Sequence, residues 1–429
     1  MEPYRPRLHF SPLHGWMNDP NGLIKVDGAY HLFFQHDPDS ITHGPMHWGH
    51  ARSTDLVSWE ELPVALYPTE LGTCFSGSAV ETADGELKLI YTAHRRIDDE
   101  DYQVQCLVHA NRSLSTYRHD EKNPVLDNPG LPCFRDPKVI WHAPSQRWIM
   151  VVTHGQSIGF YSSPDLSEWT HESDFGVGHG RHSDGPWECP DLFPMTGPDG
   201  AEHWILLVGV GSGGFAAGSG TQYFVGQFNG RAFINGNRPG TTLWLDYGRD
   251  FYAAQTFFDR EGADPIVLGW ASNWQYARST PTEAFRGVMS LPRTLSLVEA
   301  RQGLRLTQSL PAAVSAALNA STEPGVYRQK MELPLAIGQS MDIALFAEHE
   351  PQFRITRTAT DEATILVIRS QTPAMPAFGH NYGVPASFPK AGPLLLDIHV
   401  DRGVVELATG DGLIWITQLF YPHRPESVT

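Results

Sequence analysis

The sequence predicts an all-β chain: a five-bladed β-propeller followed by a small C-terminal β-sandwich. Three observations predict it. Short strand-like runs recur as five pairs, spaced by roughly 50–60 residues, a period typical of propeller blades. A weak internal repeat relates Ser53-Thr54-Asp55-Leu56-Val57-Ser58-Trp59 to Ser163-Pro164-Asp165-Leu166-Ser167-Glu168-Trp169. The blade pattern then fades after Leu306, and a different alternation of apolar and polar residues begins near 323.

In chain order, the five leading strands fall at 19–26, 75–81, 136–142, 188–195 and 250–258. Each is followed by an apolar partner strand: 30–35, 87–91, 148–152, 204–208 and 266–270. The first strand of a blade lines the propeller axis, so acids at the starts of three leading strands converge at one mouth of the axial channel. Residues ending the antiparallel second strand return to that mouth, which places Gln35 and Trp274 near Asp19. Residues 1–308 thus form the propeller, and 309–322 a linker with a short helix over Ala312–Leu318. The sandwich spans 323–429, with strands over 340–346 and 394–400.

The 429 residues exceed one ordinary core, which agrees with two domains. With 41% hydrophobic and 18% charged residues the chain is a folded composition. Forty Gly and 33 Pro fit many short strands and turns, and the 12 Trp supply flat faces for packing or for sugar rings. A net charge of −17 argues against nucleic acid and anionic membranes as partners and suits a neutral small substrate. No apolar run approaches a membrane span. The start, Met1-Glu2-Pro3-Tyr4-Arg5-Pro6, lacks a signal-type apolar segment, which predicts a cytoplasmic protein. Cys74, Cys106, Cys133 and Cys189 form no CxxC pair and no zinc-like spacing, so free thiols are expected. Cys189 adjoins Glu188 and reads as structural, since no His is placed as its base.

Three acids stand in unusual contexts. Asp19 lies in Trp16-Met17-Asn18-Asp19-Pro20-Asn21-Gly22, a turn-forming run whose Pro and Gly fix a sharp path and whose amides can hold it. Asp136 lies in Arg135-Asp136-Pro137, and Glu188 in Trp187-Glu188-Cys189-Pro190-Asp191. Apolar, Pro-punctuated strand starts carrying acids suggest acid/base chemistry on a glycoside. The competing readings are a structural turn Asp at 19, an Arg135-paired fold acid at 136 and a backbone-bonded buried Glu at 188. Against them, Asp-Pro opening a strand exposes its side chain, and unpaired buried Glu is rare away from active sites. The expected electrostatics follow. Amide donors favour a charged Asp19, while two negative neighbours and the desolvating Trp187 and Pro190 favour a protonated Glu188. His43, His47 and His50 cluster in sequence, but no carboxylate is spaced to complete a metal site there. The chemistry needs no metal or other cofactor.

Together, WMNDPNG (16–22), Phe-Ser-Gly-Ser (75–78), RDP (135–137), WECPDLF (187–193), GWASNWQY (269–276) and Val400-Asp401-Arg402-Gly403-Val404-Val405-Glu406 resemble glycoside hydrolase family 32, the invertases, sucrose hydrolases and fructan exo-hydrolases. Around His47-Trp48-Gly49-His50 and Gly287-Val288-Met289-Ser290-Leu291-Pro292-Arg293 the resemblance is to bacterial intracellular sucrose hydrolases. It implies Asp19 as nucleophile, Glu188 as acid/base and Asp136 as transition-state stabiliser. It also implies Asn18, Gln35, Trp48, Ser76 and Arg135 as contacts to the fructosyl unit. Phe75 and Trp48 are expected as apolar walls, with Tyr252 and Trp274 as further contacts and Trp270 as core. The sandwich is short, about 105 residues, which bears on any binding role of that module and not on the three acids.

The implied activity is a retaining β-fructofuranosidase on sucrose or short β-fructosides. The alternatives are an exo-inulinase or levanase, a sucrose-6-phosphate hydrolase using Arg95, Arg96 or Arg181, an inverting propeller arabinosidase or xylosidase, and a non-catalytic fructan-binding protein.

Overall fold

The computed structural model describes residues 2–260, 262–346, 350–371 and 375–422. Five antiparallel sheets stand around an axis, as the five strand pairs require. Their innermost strands are Gly15–Val26, Thr73–Glu81, Lys138–His142, Trp187–Thr196 and Tyr252–Thr256. Each packs against the innermost strand of the next blade, and the fifth packs against the first, which closes the ring. A latch reinforces closure: Phe285–Arg286, beyond the second strand of blade five, pairs in parallel with Gly15–Trp16 of blade one. The inner strands are buried almost throughout because blades cover both faces. Apolar clusters fill the space between successive blades, such as Ile24, Phe33, Trp48, Leu89 and Val108 between blades one and two.

The internal repeat has a structural cause. Both copies follow the third strand of a blade, His47–Ser53 or Ser157–Ser163. In each, a serine hydroxyl and an aspartate carboxylate accept the following backbone N–H groups: Ser53 and Asp55 in one, Ser163 and Asp165 in the other. Leu56 and Leu166 take the left-handed conformation in the same turn, at φ 65° and 72°.

The last propeller strand, Gly303–Ser309, leads into an α-helix over Ala312–Ala320. Val314 and Leu318 bury its inner face among Phe10, Met17, Leu268 and Leu291. Two four-stranded sheets follow: Val326–Leu333, Leu394–Asp401, Val404–Thr409 and Trp415–Leu419 make one, and Ser340–Ile343, Phe353–Arg357, Glu362–Val367 and Tyr382–Ser387 the other. Their inward residues, among them Phe353, Ile355, Ile365, Leu396, Ile398 and Leu407, share one core. No described helix is long and apolar enough to cross a membrane.

Buried ion pairs join the sandwich to the propeller. Arg293 contacts Asp246 and Glu406, each at 2.8 Å. Arg369 of the sandwich reaches Asp250 at 2.6 Å. His9 meets Asp401 at 2.9 Å and Glu406 at 3.3 Å.

Candidate active site

The mouth of the axis is built from β-bulges. In blade one, Met17 pairs with His36 and Pro20 with Phe34, so Asn18 and Asp19 together oppose Gln35. Blade two repeats this at Phe75-Ser76, blade four at Cys189-Pro190 and blade five at Ala253-Ala254. An extra residue breaks the strict in/out alternation and re-aims the side chains beside it. Asp136, Cys189 and Ala253 hold φ of 65°, 46° and 51°, a left-handed backbone that non-glycine residues seldom take. The residues just before them, Arg135, Glu188 and Tyr252, form a row across three blades. Arg135 donates to Glu188 Oε1 at 2.7 Å and the Tyr252 hydroxyl donates to Oε2.

Asp19 accepts from Ser76 Oγ at 2.7 Å, from Asn18 Nδ2 at 3.0 Å and from Cys189 Sγ at 3.4 Å. The Trp16 indole orients this amide, since its N–H donates to Asn18 Oδ1 at 2.8 Å. Asp136 Oδ2 accepts from the Cys189 N–H at 3.0 Å and lies 3.6 Å from its sulfur. The Asp136 N–H is held by Thr92 Oγ1 at 3.0 Å. One thiol thus stands between two carboxylates, and burial beside Asp136 and Asp19 keeps it protonated, well above its usual pKa. This satisfies the expected structural reading of Cys189 and adds a hydrogen-bonding role to it.

Burial raises Asp19 above the usual carboxylate range against the pull of Ser76 and Asn18, and the Glu188 charge adds to the rise. Burial also pushes Asp136 up to about 7; Arg135 opposes this, while Glu188 and Asp19 add to it. Arg135 stays charged: burial disfavours its cation, but Glu188 and Asp136 more than compensate. Asp19 and Asp136 are therefore both held toward their protonated forms by burial, Asp136 up to about 7.

The geometry corrects two expectations. Asp136 is not exposed by its Pro; it is 3% exposed and capped by the Cys189 amide. Glu188 does not face negative charge alone, because Arg135 binds it directly and stands 3.8 Å from Asp136. Neither the Arg135–Glu188 pair nor Thr92 carried a signal in the sequence, since both act across blades.

The other candidates divide into two groups. Phe75 borders the mouth, its ring stacked on His94 at 4.2 Å. Trp274 lies over Trp16 at 6.0 Å. Gln35, Trp48 and Tyr252 are buried behind this layer. Gln35 donates to the Cys74 carbonyl and Trp48 to the Phe75 carbonyl, each at 2.9 Å. Trp48 thus supports Phe75 instead of standing beside it as a wall. Trp270 is fully buried beneath Trp16 and Tyr252.

The three histidines part company. His50 pairs with His31 at 2.9 Å, His43 packs on Trp16 and Trp274, and His47 packs on Tyr67. Arg95 lies over Tyr102, Arg96 pairs with Asp99 and Arg181 bonds the Gly213 carbonyl. Below the mouth, Lys138, Asp191 and Thr256 close the axis, with Lys138 Nζ 3.1 Å from Asp191 and 2.7 Å from the Thr256 carbonyl.

Comparison with known proteins adds the following. The sequence profile of the glycosyl hydrolases family 32 N-terminal domain matches residues 9–309, and that of the family 32 C terminal matches 300–429. A levanase of Bacillus subtilis is 40% identical over 99% of this chain and 67% of its own. An extracellular exo-inulinase of Aspergillus niger is 33% identical over 98% of this chain and 90% of its own. Among solved structures, exo-inulinase from Aspergillus awamori superposes with a TM-score of 0.87 at 30% identity, covering 99% of this chain and 94% of that one. A fructofuranosidase from Schwanniomyces occidentalis complexed with fructose superposes at 0.83 with 29% identity, covering 99% and 93%.

Proposed function

The chain belongs to glycosyl hydrolase family 32 and is a glycoside hydrolase; on that premise we propose that it is a retaining β-fructosidase that removes the terminal non-reducing fructose of sucrose or a short β-fructoside. The observation that carries this reading is the meeting of Asp19, Asp136 and Glu188 at one mouth, with Cys189 between the first two and Arg135 between the last two.

An Asp19 oxygen attacks the anomeric carbon while Glu188 protonates the departing oxygen. The bond from fructose to its leaving group breaks and a fructosyl ester forms on Asp19. Glu188, now ionised, takes a proton from water, and that water opens the ester. Arg135 and Tyr252 suit the second half, because both donate to an ionised Glu188. Asp136, capped by the Cys189 amide, holds fructose hydroxyls. Asn18 and Ser76 offer the fructosyl unit donors and acceptors, Gln35 holds this layer from behind through the Cys74 carbonyl, and Phe75, backed by Trp48, with Trp274 gives it apolar edges. Tyr252 serves the site through Glu188.

A second reading, exo-hydrolysis of fructans, is favoured by the levanase and exo-inulinase among the relatives. Initial rates of fructose release from sucrose, sucrose-6-phosphate, kestose, inulin and levan decide between them. The first reading expects sucrose and kestose to exceed both polymers in kcat/KM, with the leaving sugar released before fructose. Faster release from levan or inulin favours the second. Asp19→Asn removes the nucleophile and is expected to fall below about a thousandth of wild-type kcat on every substrate. A variant keeping a tenth of the activity would refute the assignment.

A further inference from the structure

Blade three carries a second cluster of ligating side chains, away from the three acids. His154 ends the second strand, Arg147–His154, and His171 and Asp174 lie on the outer strand, Thr170–Phe175. The third strand, Ser157–Ser163, runs between them. His154 nevertheless reaches Asp174, with Nδ1 2.7 Å from Oδ1. Gly159 on the intervening strand makes this possible: a Cβ there would stand 2.3 Å from His154 Nε2. The imidazole therefore crosses the strand over a glycine. His171 Nε2 lies 3.2 Å from the other carboxylate oxygen, Oδ2. The two rings are stacked at 5.6 Å, and one ligating atom from each of the three residues lies within 4.8 Å of the others.

We propose that His154, His171 and Asp174 bind one divalent metal ion of the imidazole-preferring class, zinc foremost. Two nitrogens and one carboxylate oxygen suit zinc, copper or nickel and not magnesium or calcium. Three protein ligands leave the outward position to water, and that side is open, since the His171 and Asp174 side chains are 44% and 46% exposed. The inner ligand is already oriented. His154 Nε2 lies 3.0 Å from the Tyr161 hydroxyl, and its ring packs on Phe134. A hydroxyl can donate or accept, so Tyr161 permits the tautomer with its proton on Nε2 and the Nδ1 lone pair free for the ion.

The site lies on the rim beside Arg135, whose carbonyl accepts from the Thr153 N–H at 2.8 Å, but none of its ligands touches the catalytic carboxyls. The ion has no step in hydrolysis.

The test is calorimetric titration of chelator-stripped protein with Zn²⁺, repeated with Co²⁺ while following visible absorption. One saturable equivalent per chain is expected, with Co²⁺ bands of nitrogen ligation and no binding of Mg²⁺ or Ca²⁺. His171→Ala and Asp174→Asn each remove one exposed ligand and are expected to weaken binding at least about tenfold. His171→Ala should leave sucrose hydrolysis in chelator unchanged, which shows that the fold is intact. Absence of saturable Zn²⁺ binding, or wild-type affinity in either variant, would overturn the proposal.

Discussion

At Asp136 burial, a cation and two other acids compete. Burial dominates and pushes its pKa up to about 7, so the folded chain holds a proton there that the unfolded chain releases near 3.8. Its contribution to stability is therefore lost as pH rises from about 4 through 7. If Glu188 donates a proton to the leaving group as proposed, kcat/KM should fall on the alkaline side as that proton is lost. Above about pH 7 Asp136 is ionised, so Asp136→Asn removes a negative charge beside Glu188 and the alkaline limb should move to lower pH. The variant should also melt a few degrees above wild type at pH ~8, with the gap closing toward pH ~4. An unmoved or upward-shifted limb in its pH profile would detach Asp136 from the acid's electrostatics. The three acids were legible in the sequence because each stands in a Pro-marked motif. Their partners were not: Arg135 adjoins Asp136 in the chain yet binds Glu188, a pairing only the blade geometry creates.

Bulges at the same level in four inner strands turn five similar sheets into one site. They explain why the motifs carry Pro directly after Asp19 and Cys189, where pairing is broken and the missing N–H costs little, while Pro137 stands just ahead of its strand, Lys138–His142. The strand pairs could be read from apolar runs, whereas bulges leave no periodic signature and were invisible before the register was known. The row Arg135–Glu188–Tyr252 follows from this shared level. Tyr252→Phe removes a donor to the ionised form of the acid. Its alkaline limb should therefore shift to higher pH, opposite to Asp136→Asn, with kcat lowered by roughly tenfold to a hundredfold. A limb shifted downward in the measured profile would mean that Tyr252 serves the substrate directly and not the acid.

Across the whole molecule, the sandwich is fastened to the propeller by buried charges. The presence of a second all-β module after the propeller was readable from the sequence. The interface was not, because its partners are as distant as His9 and Asp401. Asp401 and Glu406 hold His9 charged, raised to about 9 against the cost of burial, with Arg293 completing the group. A raised imidazole contributes stability that is complete below about pH 6.5 and is lost as pH rises through about 9. Thermal melting should accordingly decline across that window. His9→Gln should be destabilised by about 3–5 kcal/mol at pH ~6 and nearly flat over the same range. An equally steep decline in the variant would place the alkaline sensitivity elsewhere.

In the central proposal, Asp19 attacks and Glu188 acts first as acid and then as base. Two displacements at the anomeric carbon preserve its configuration, whereas one inverts it. The most direct test is NMR of the fructose released in the first moments of sucrose cleavage, before mutarotation. The account predicts that fructose first appears as the β-anomer. Initial α-fructose would contradict it and would mean that water, not Asp19, attacks the sugar.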